Sequence, residues 1–172
     1  TSNLPAKFPV CGYNYTGYNN SIMLTPTSNP SKGLIPVHIT THLPLPMVDG
    51  RVKAGFPSPA DDFTVKRQDL NELLITHPAA TFFWEAGGTS MAGAGIFDGD
   101  ILVVNRALTP QHRDIVVAEV DGDFTVKYLY KRLGRIKLLA ADPTFPEITF
   151  KEGQTMKVCG VVTASVKRFR KS

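Results

Sequence analysis

The chain has 172 residues, of which 42% are hydrophobic and 20% are charged, and its formal net charge is +4. That length suits one ordinary domain plus an appendage and excludes two large domains. No apolar run approaches the roughly 20 residues that a membrane-spanning helix needs, so we expect no membrane partner. Cys11 and Cys159 lack metal-ligand spacing, and we expect reduced thiols, no metal ion and no cofactor.

The first part of the chain differs in composition from the rest. Residues 1–54 hold seven of the thirteen prolines and carry four basic residues against one acidic residue. Proline disfavours a long helix and removes donors from a strand ladder. We therefore predict that residues 1–54 form an extended, flexible arm and that residues 55–172 form one folded domain. The apolar stretches LIPVHI (34–39) and LPLPMV (43–48) suggest that the arm can lie against another surface as an edge strand.

The pattern after residue 55 predicts mostly strands. DLNELLITH (69–77) has helical spacing, with Asp69 as the cap and Pro78 as the stop. Strands are predicted in TFFWEAGG (81–88), DILVVNRAL (100–108), RIKLLAAD (135–142) and MKVCGVVTASVKRF (156–169). IVVAEV and DFTVKYLYK, joined by Asp121-Gly122, predict a hairpin. The fold class is therefore mainly β with one short helix, as a barrel or a sandwich.

The stretch GGTSMAGAGIFDGDI (87–101) has small residues on both sides of Ser90. A phosphate loop is excluded, because no lysine follows the glycines and the next element is a strand. A structural bulge and the seat of a nucleophile both stay open. A serine nucleophile needs a base. The histidines give a Ser-His-Asp arrangement little support, since two lie in the arm, one at the end of the predicted helix and one in a polar turn: His38, His42, His77 and His112.

Lys127 interrupts an otherwise apolar and aromatic strand, FTVKYLY. Strand alternation puts Thr125, Lys127 and Leu129 on one face. Loss of water would lower the pKa of such a lysine and make its neutral amine a base. A charge on the solvated face of the hairpin is the other interpretation, and the residues alone favour it.

Basic residues crowd the end of the chain at Lys167, Arg168, Arg170 and Lys171. Direct contact with nucleic acid and a solvated chain end are both compatible with this pattern, and the second is favoured.

Several motifs in order resemble one family: AGFPSPADDF (54–63), DLNELLITHPAATFF (69–83), SMAGAGIFDGD (90–100), DIVVAEVDGDFTVK (114–127) and CGVV (159–162). Together they are similar to the UmuD branch of the LexA-type self-cleaving serine peptidases. The resemblance implies a compact peptidase domain of twisted antiparallel strands after an extended arm.

The resemblance also implies roles for particular residues. Ser90 becomes the nucleophile and Lys127 its general base, which reverses the interpretation of Lys127 as a solvated charge. The backbone N–H groups of Thr89 and Ser90 become the oxyanion donors. The bond between Ala54 and Gly55 stands where such proteins cut themselves, so self-cleavage would remove residues 1–54.

Further implications concern partners. The resemblance implies a homodimer in the bacterial cytoplasm, stimulated to cleave itself by a RecA filament on single-stranded DNA. The trimmed dimer would then be the accessory subunit of an error-prone Y-family polymerase, a UmuC-like partner. Three alternatives stay open: a LexA-like repressor, a non-cleaving interaction module with an idle dyad, and a signal-peptidase-like protease acting on other chains. The first lacks a DNA-reading helix in the arm, and the third lacks a membrane anchor.

Overall fold

In a computed structural model of the chain, residues 13–18, 21–26, 42–49, 64–150 and 154–170 are described. One short α-helix, α1, spans Leu70–Leu74, and a 3-10 turn follows at Pro78–Ala80. No helix in these ranges is long and apolar enough to cross a membrane. The strands are β1 Tyr13–Tyr18, β2 Ser21–Pro26, β3 Leu45–Asp49, β4 Thr64–Gln68, β5 Thr81–Glu85, β6 Ile101–Asn105, β7 Ile115–Val120, β8 Asp123–Arg132, β9 Arg135–Leu139, β10 Ile148–Thr149 and β11 Thr155–Val166.

The strands form one large antiparallel sheet and one small one. In the large sheet the order is β10-β9-β8-β7-β11-β1-β2, and β6 joins β11 to β5. The long strand β11 pairs with β7 through its first half and with β6 through its second half. The small sheet contains β3 and β4. The predicted fold class, mainly β with a short helix, is thus confirmed.

Two tight turns build the β7-β8-β9 meander. Asp121 and Gly122 have φ of 51° and 93°, which is the left-handed pair that a two-residue hairpin turn requires. The predicted hairpin is therefore confirmed. A second turn of the same kind, at Leu133 and Gly134, joins β8 to β9.

Apolar side chains pack into two clusters on opposite faces of the sheet. Alternation along β7 sends Val116 and Ala118 into one cluster and Val117 into the other. The second cluster contains Ala86 and Met91 from the segment between β5 and β6. That segment is therefore anchored on a packed core although its residues are small.

The helix is shorter than the periodicity predicts. Asp69 caps it as expected, accepting a hydrogen bond from the amide of Asn71 at 2.8 Å. The helix ends at Leu74, so the prediction that His77 stands at its end is wrong. Two features act against helical structure at His77. It precedes Pro78, and the residue before a proline avoids helical dihedrals. In addition, the side-chain Nδ2 of Asn105 on β6 contacts His77 Nδ1 at 3.0 Å.

Strands within residues 1–54 pair with strands from the rest of the chain. Within the predicted LPLPMV edge strand, β3 pairs with β4 from Leu45↔Gln68 to Asp49↔Thr64. The hairpin of β1 and β2, which the sequence pattern did not predict, extends the large sheet beside β11. The LIPVHI stretch lies outside the described residues.

Candidate active site

Ser90 lies on the loop that connects β5 to β6. The loop is closed at its base, where the amide of Ala86 donates to the carbonyl of Asp100 at 2.8 Å. Higher up, the amide of Gly88 donates to Asp98 Oδ1 at 2.8 Å. Gly88 has a φ of +81°, a conformation that side chains with a Cβ rarely adopt. The glycines before Ser90 thus shape a compact loop.

The backbone around Ser90 is fixed by a neighbouring segment. The carbonyl of Ser90 accepts hydrogen bonds from the amides of Ala141 and Asp142, at 3.0 and 3.1 Å. Met91 is 3% exposed and packs into the core. A Cβ at Gly93 would lie 2.9 Å from the carbonyl oxygen of Ala141, so only glycine fits this close approach. Ser90 therefore occupies a well-defined place.

Lys127, in the middle of β8, reaches that place. Its Nζ donates to Ser90 Oγ at 2.7 Å. Lys127 as a residue is only 8% exposed, so the interpretation as a solvated charge is wrong. Burial lowers the pKa of Lys127 below its ordinary value, because the ammonium loses more hydration than the neutral amine. The structure thus brings together the two residues that the family resemblance paired.

Two further groups hold the Lys127 amine. Its Nζ donates to Thr125 Oγ1 at 3.1 Å and to the carbonyl oxygen of Val126 at 3.0 Å. A neutral amine has two hydrogens and one lone pair. When the two hydrogens point to Thr125 and Val126, the lone pair points to the Ser90 hydroxyl. Thr125 was not among the predicted site residues, although its i−2 spacing from Lys127 places both on one strand face.

A cleft of about 190 Å³ opens over Ser90 and Lys127. The rings of Trp84 and Phe124, with centroids 4.8 Å apart, form part of its wall. Among the described residues that line the cleft there is no histidine, and Glu85 and Lys127 are the charged ones. The full lining is Trp84, Glu85, Ala86, Gly87, Gly88, Ser90, Met91, Ile96, Val117, Phe124, Thr125, Val126 and Lys127.

The histidines of the described ranges are engaged elsewhere. His42 contacts Asp69 Oδ2 at 2.9 Å, and His112 Nδ1 accepts from the amide of Lys131 at 3.2 Å. The third, His77, contacts the side-chain amide of Asn105 on β6. The Ser-His-Asp alternative therefore gains no support from these residues.

The remaining predicted site residues differ in what can be said of them. Thr89 and Ser90 stand side by side in the loop, and their amides have no acceptor among the described residues. Ala54 and Gly55 lie outside the described residues. They belong to residues 50–63, the connection between the paired strands β3 and β4.

The sequence is similar to a known protein family and to several characterised proteins. A family profile described as Peptidase S24-like matches residues 46–163. Protein ImpA of Salmonella typhimurium is 46% identical over 127 residues, covering 73% of this chain and 85% of that protein. Protein SamA of Salmonella typhimurium strain LT2 is 46% identical over 125 residues, covering 73% and 86%. The LexA repressor of Cupriavidus taiwanensis is 34% identical over 138 residues, covering 80% and 63%.

Proposed function

Because this chain belongs to the Peptidase S24-like family, we propose that it is a self-cleaving serine peptidase in which Lys127 activates Ser90. One observation carries the proposal: the buried Lys127 amine lies 2.7 Å from the Ser90 hydroxyl, and both residues line a cleft. A serine hydroxyl is a weak nucleophile until a base takes its proton. A lysine whose pKa burial has lowered can be that base.

The reaction follows from these positions. Ser90 Oγ attacks the carbonyl carbon of the scissile bond while its proton passes to Lys127 Nζ. The amides of Thr89 and Ser90 donate to the oxyanion that forms. The C–N bond then breaks, and Lys127 returns the proton to the leaving amine. Water hydrolyses the remaining ester on Ser90 by the same proton transfers in reverse order, which regenerates the serine.

The bond cut is the one between Ala54 and Gly55 in the chain itself. Small residues let an extended segment enter a narrow cleft, and the Gly87 and Gly88 edge of the cleft leaves room for it. Strands β3 and β4, on either side of this bond in the sequence, pair with each other and so hold the two ends of the connecting residues close together. Cleavage divides the chain into the arm, residues 1–54, and the domain, residues 55–172.

The biological setting belongs to the SOS response, in keeping with the LexA and ImpA relatives. The protein acts as a dimer in the bacterial cytoplasm, and a RecA filament on single-stranded DNA promotes its cleavage. The trimmed dimer binds a UmuC-like polymerase subunit and is the accessory subunit of an error-prone Y-family polymerase. The RecA filament promotes cleavage by favouring the cleavable conformation, which is a population shift. The resemblance to UmuD supports this setting; the described residues of the arm contain strands β1, β2 and β3 and no helix of the kind that reads DNA in a repressor.

The test is incubation of the purified chain at about pH 10 without partners, followed by intact-mass spectrometry. Alkaline pH deprotonates lysine, whose reference pKa is about 10.4, so cleavage becomes independent of an activator. We expect one new fragment beginning at Gly55 in the wild type and none in Ser90→Ala or Lys127→Ala. Circular dichroism of both variants checks that they fold. An uncut wild type, even with an activated RecA filament, would leave only a docking module with an idle dyad.

A further inference from the structure

A buried carboxylate ends the loop that carries Ser90. Asp100 is 5% exposed, and its Oδ2 accepts hydrogen bonds from the amide of Phe97 at 2.9 Å and from Ser165 Oγ at 3.2 Å. Its backbone carbonyl closes the base of the same loop through Ala86. The pKa of Asp100 is lowered by its hydrogen bond with Lys167 and then by the Phe97 amide. These contacts favour the ionised form of the Asp100 carboxylate, which both hydrogen bonds and a neighbouring cation stabilise.

Lys167 supplies that cation from just beyond the last strand. Its Nζ forms a hydrogen-bonded ion pair with Asp100 Oδ2. The same Nζ donates to the carbonyl oxygen of Gly95 at 2.8 Å and lies 4.4 Å from the centroid of the Phe97 ring. One ammonium thus contacts three separate points of the loop between β5 and β6.

The loop between β5 and β6 is held at two places, near Ser90 and near Gly95. Ser90 is bound through its carbonyl to Ala141 and Asp142, while Lys167 binds the returning half of the loop. Lys167 follows directly on Val166, the last residue of β11, which pairs with Ile101 at the start of β6. The ammonium is therefore held at the point where the loop rejoins the sheet.

We propose that Lys167 is a positioning residue for self-cleavage: its contacts with Asp100, Gly95 and Phe97 hold the loop so that Ser90 stays against Lys127. The inference rests on the proposed function and assigns to the basic chain end a structural role toward the nucleophile. Of the four basic residues there, Lys167 is bound to Asp100, and Lys171 lies outside the described residues.

Two measurements test this, with Lys167→Met as the variant. The first is the rate of self-cleavage from about pH 7 to about pH 10, where misplacement of the nucleophile on the order of 1 Å reduces the rate by up to about 100-fold. We also expect the midpoint of the rate–pH curve to move to higher pH, because water that enters beneath a displaced loop restores the ordinary pKa of Lys127. Lys167→Arg keeps a cation with several donors and should recover most of the rate.

Lys137→Met is the matched control. Lys137 Nζ lies 2.7 Å from Glu147 Oε1, and its side chain is 32% exposed, against 35% for Lys167. Removal of this pair on β9 should leave the cleavage rate and the midpoint unchanged. A wild-type rate and midpoint in Lys167→Met would overturn the proposal. So would a loss of rate that follows the melting temperature alone, with the midpoint unmoved.

The second measurement does not depend on cleavage. In a Ser90→Ala background, the Lys127 side chain is titrated by carbon-13 NMR with and without Lys167→Met. An upward shift in the pKa of Lys127 on loss of Lys167 supports the inference even if the wild type proves unable to cut itself. An identical titration in both proteins overturns it, whereas absence of cleavage in the wild type overturns the proposed function alone.

Discussion

Removal of one hydroxyl tests how Lys127 is oriented. Thr125→Val keeps the shape of the side chain and deletes the Oγ1 atom that accepts from Lys127 Nζ at 3.1 Å. A hydrogen bond of this kind contributes about 1 kcal/mol net. If it is needed to point the lone pair at Ser90, its loss costs that amount in the transition state, and the cleavage rate falls by about fivefold.

The assay is self-cleavage as a function of pH, followed by intact mass. Cleavage rises as the pH climbs through the pKa of Lys127, because only the neutral amine accepts a proton. An acceptor stabilises the ammonium more than the amine, so its loss does not raise that pKa. We therefore expect a lower plateau at high pH and a midpoint that is unchanged or lower. Thr125→Ser restores the hydroxyl and should restore the plateau. A wild-type plateau in Thr125→Val would refute the role of this contact.

Two further predictions concern stability. A Cβ at Gly160 would lie 2.7 Å from a buried valine methyl, so Gly160→Ala should lower the free energy of unfolding by about 2 kcal/mol and the melting temperature by about 5 °C. Gly87→Ala is the control, because the nearest atom to its added Cβ lies at 4.0 Å and the melting temperature should not change. Equal melting temperatures of the two variants would contradict this. The pKa of His42 is raised by its hydrogen bond to Asp69, whose own pKa is lowered first by the amide of Leu43 and then by His42. The charged pair therefore stabilises the fold below pH 6.5, the ordinary pKa of His42, and loses this effect as the pH rises through the raised value; it also loses it as the pH falls through the lowered pKa of Asp69. His42→Gln should lower the melting temperature near pH 6 and have less effect at alkaline pH, and a pH-independent difference would show that the pair's charge is irrelevant.

The β7–β8 hairpin was predictable because it depends on local pattern. The run IVVAEV and the Asp121-Gly122 turn specify a hairpin with few contributions from the rest of the chain. The helix prediction was too long, because periodicity does not report that Asn105 contacts residues 76 and 77 from another strand. The hairpin of β1 and β2 carries no sustained alternation, so its pairing with β11 depends on an available strand edge.

The candidate site was less accessible to local reasoning. Lys127 alone looks like a charge on a solvated face, since its burial depends on a loop 37 residues earlier in the chain. Only the family resemblance, which encodes tertiary neighbours indirectly, paired it with Ser90. Asp100 and Lys167 are separated by 67 residues, and nothing in their local sequence connects them.

The pairing of β3 with β4 has a consequence for what happens after the peptide bond breaks. The two strands face each other at five positions and stand on opposite sides of Ala54 and Gly55 in the sequence. In the continuous chain this ladder is a unimolecular contact, indifferent to how much protein is present. Once the bond is cut, the same ladder joins two separate chains. The effective concentration of order millimolar that the peptide link provided is then lost, and dilution favours dissociation by mass action. Hydrolysis and departure of the arm are then distinct events: the dissociation rates of this ladder and of the β1–β11 pairing set how long the arm stays, and the protein concentration sets the fraction that remains paired at equilibrium.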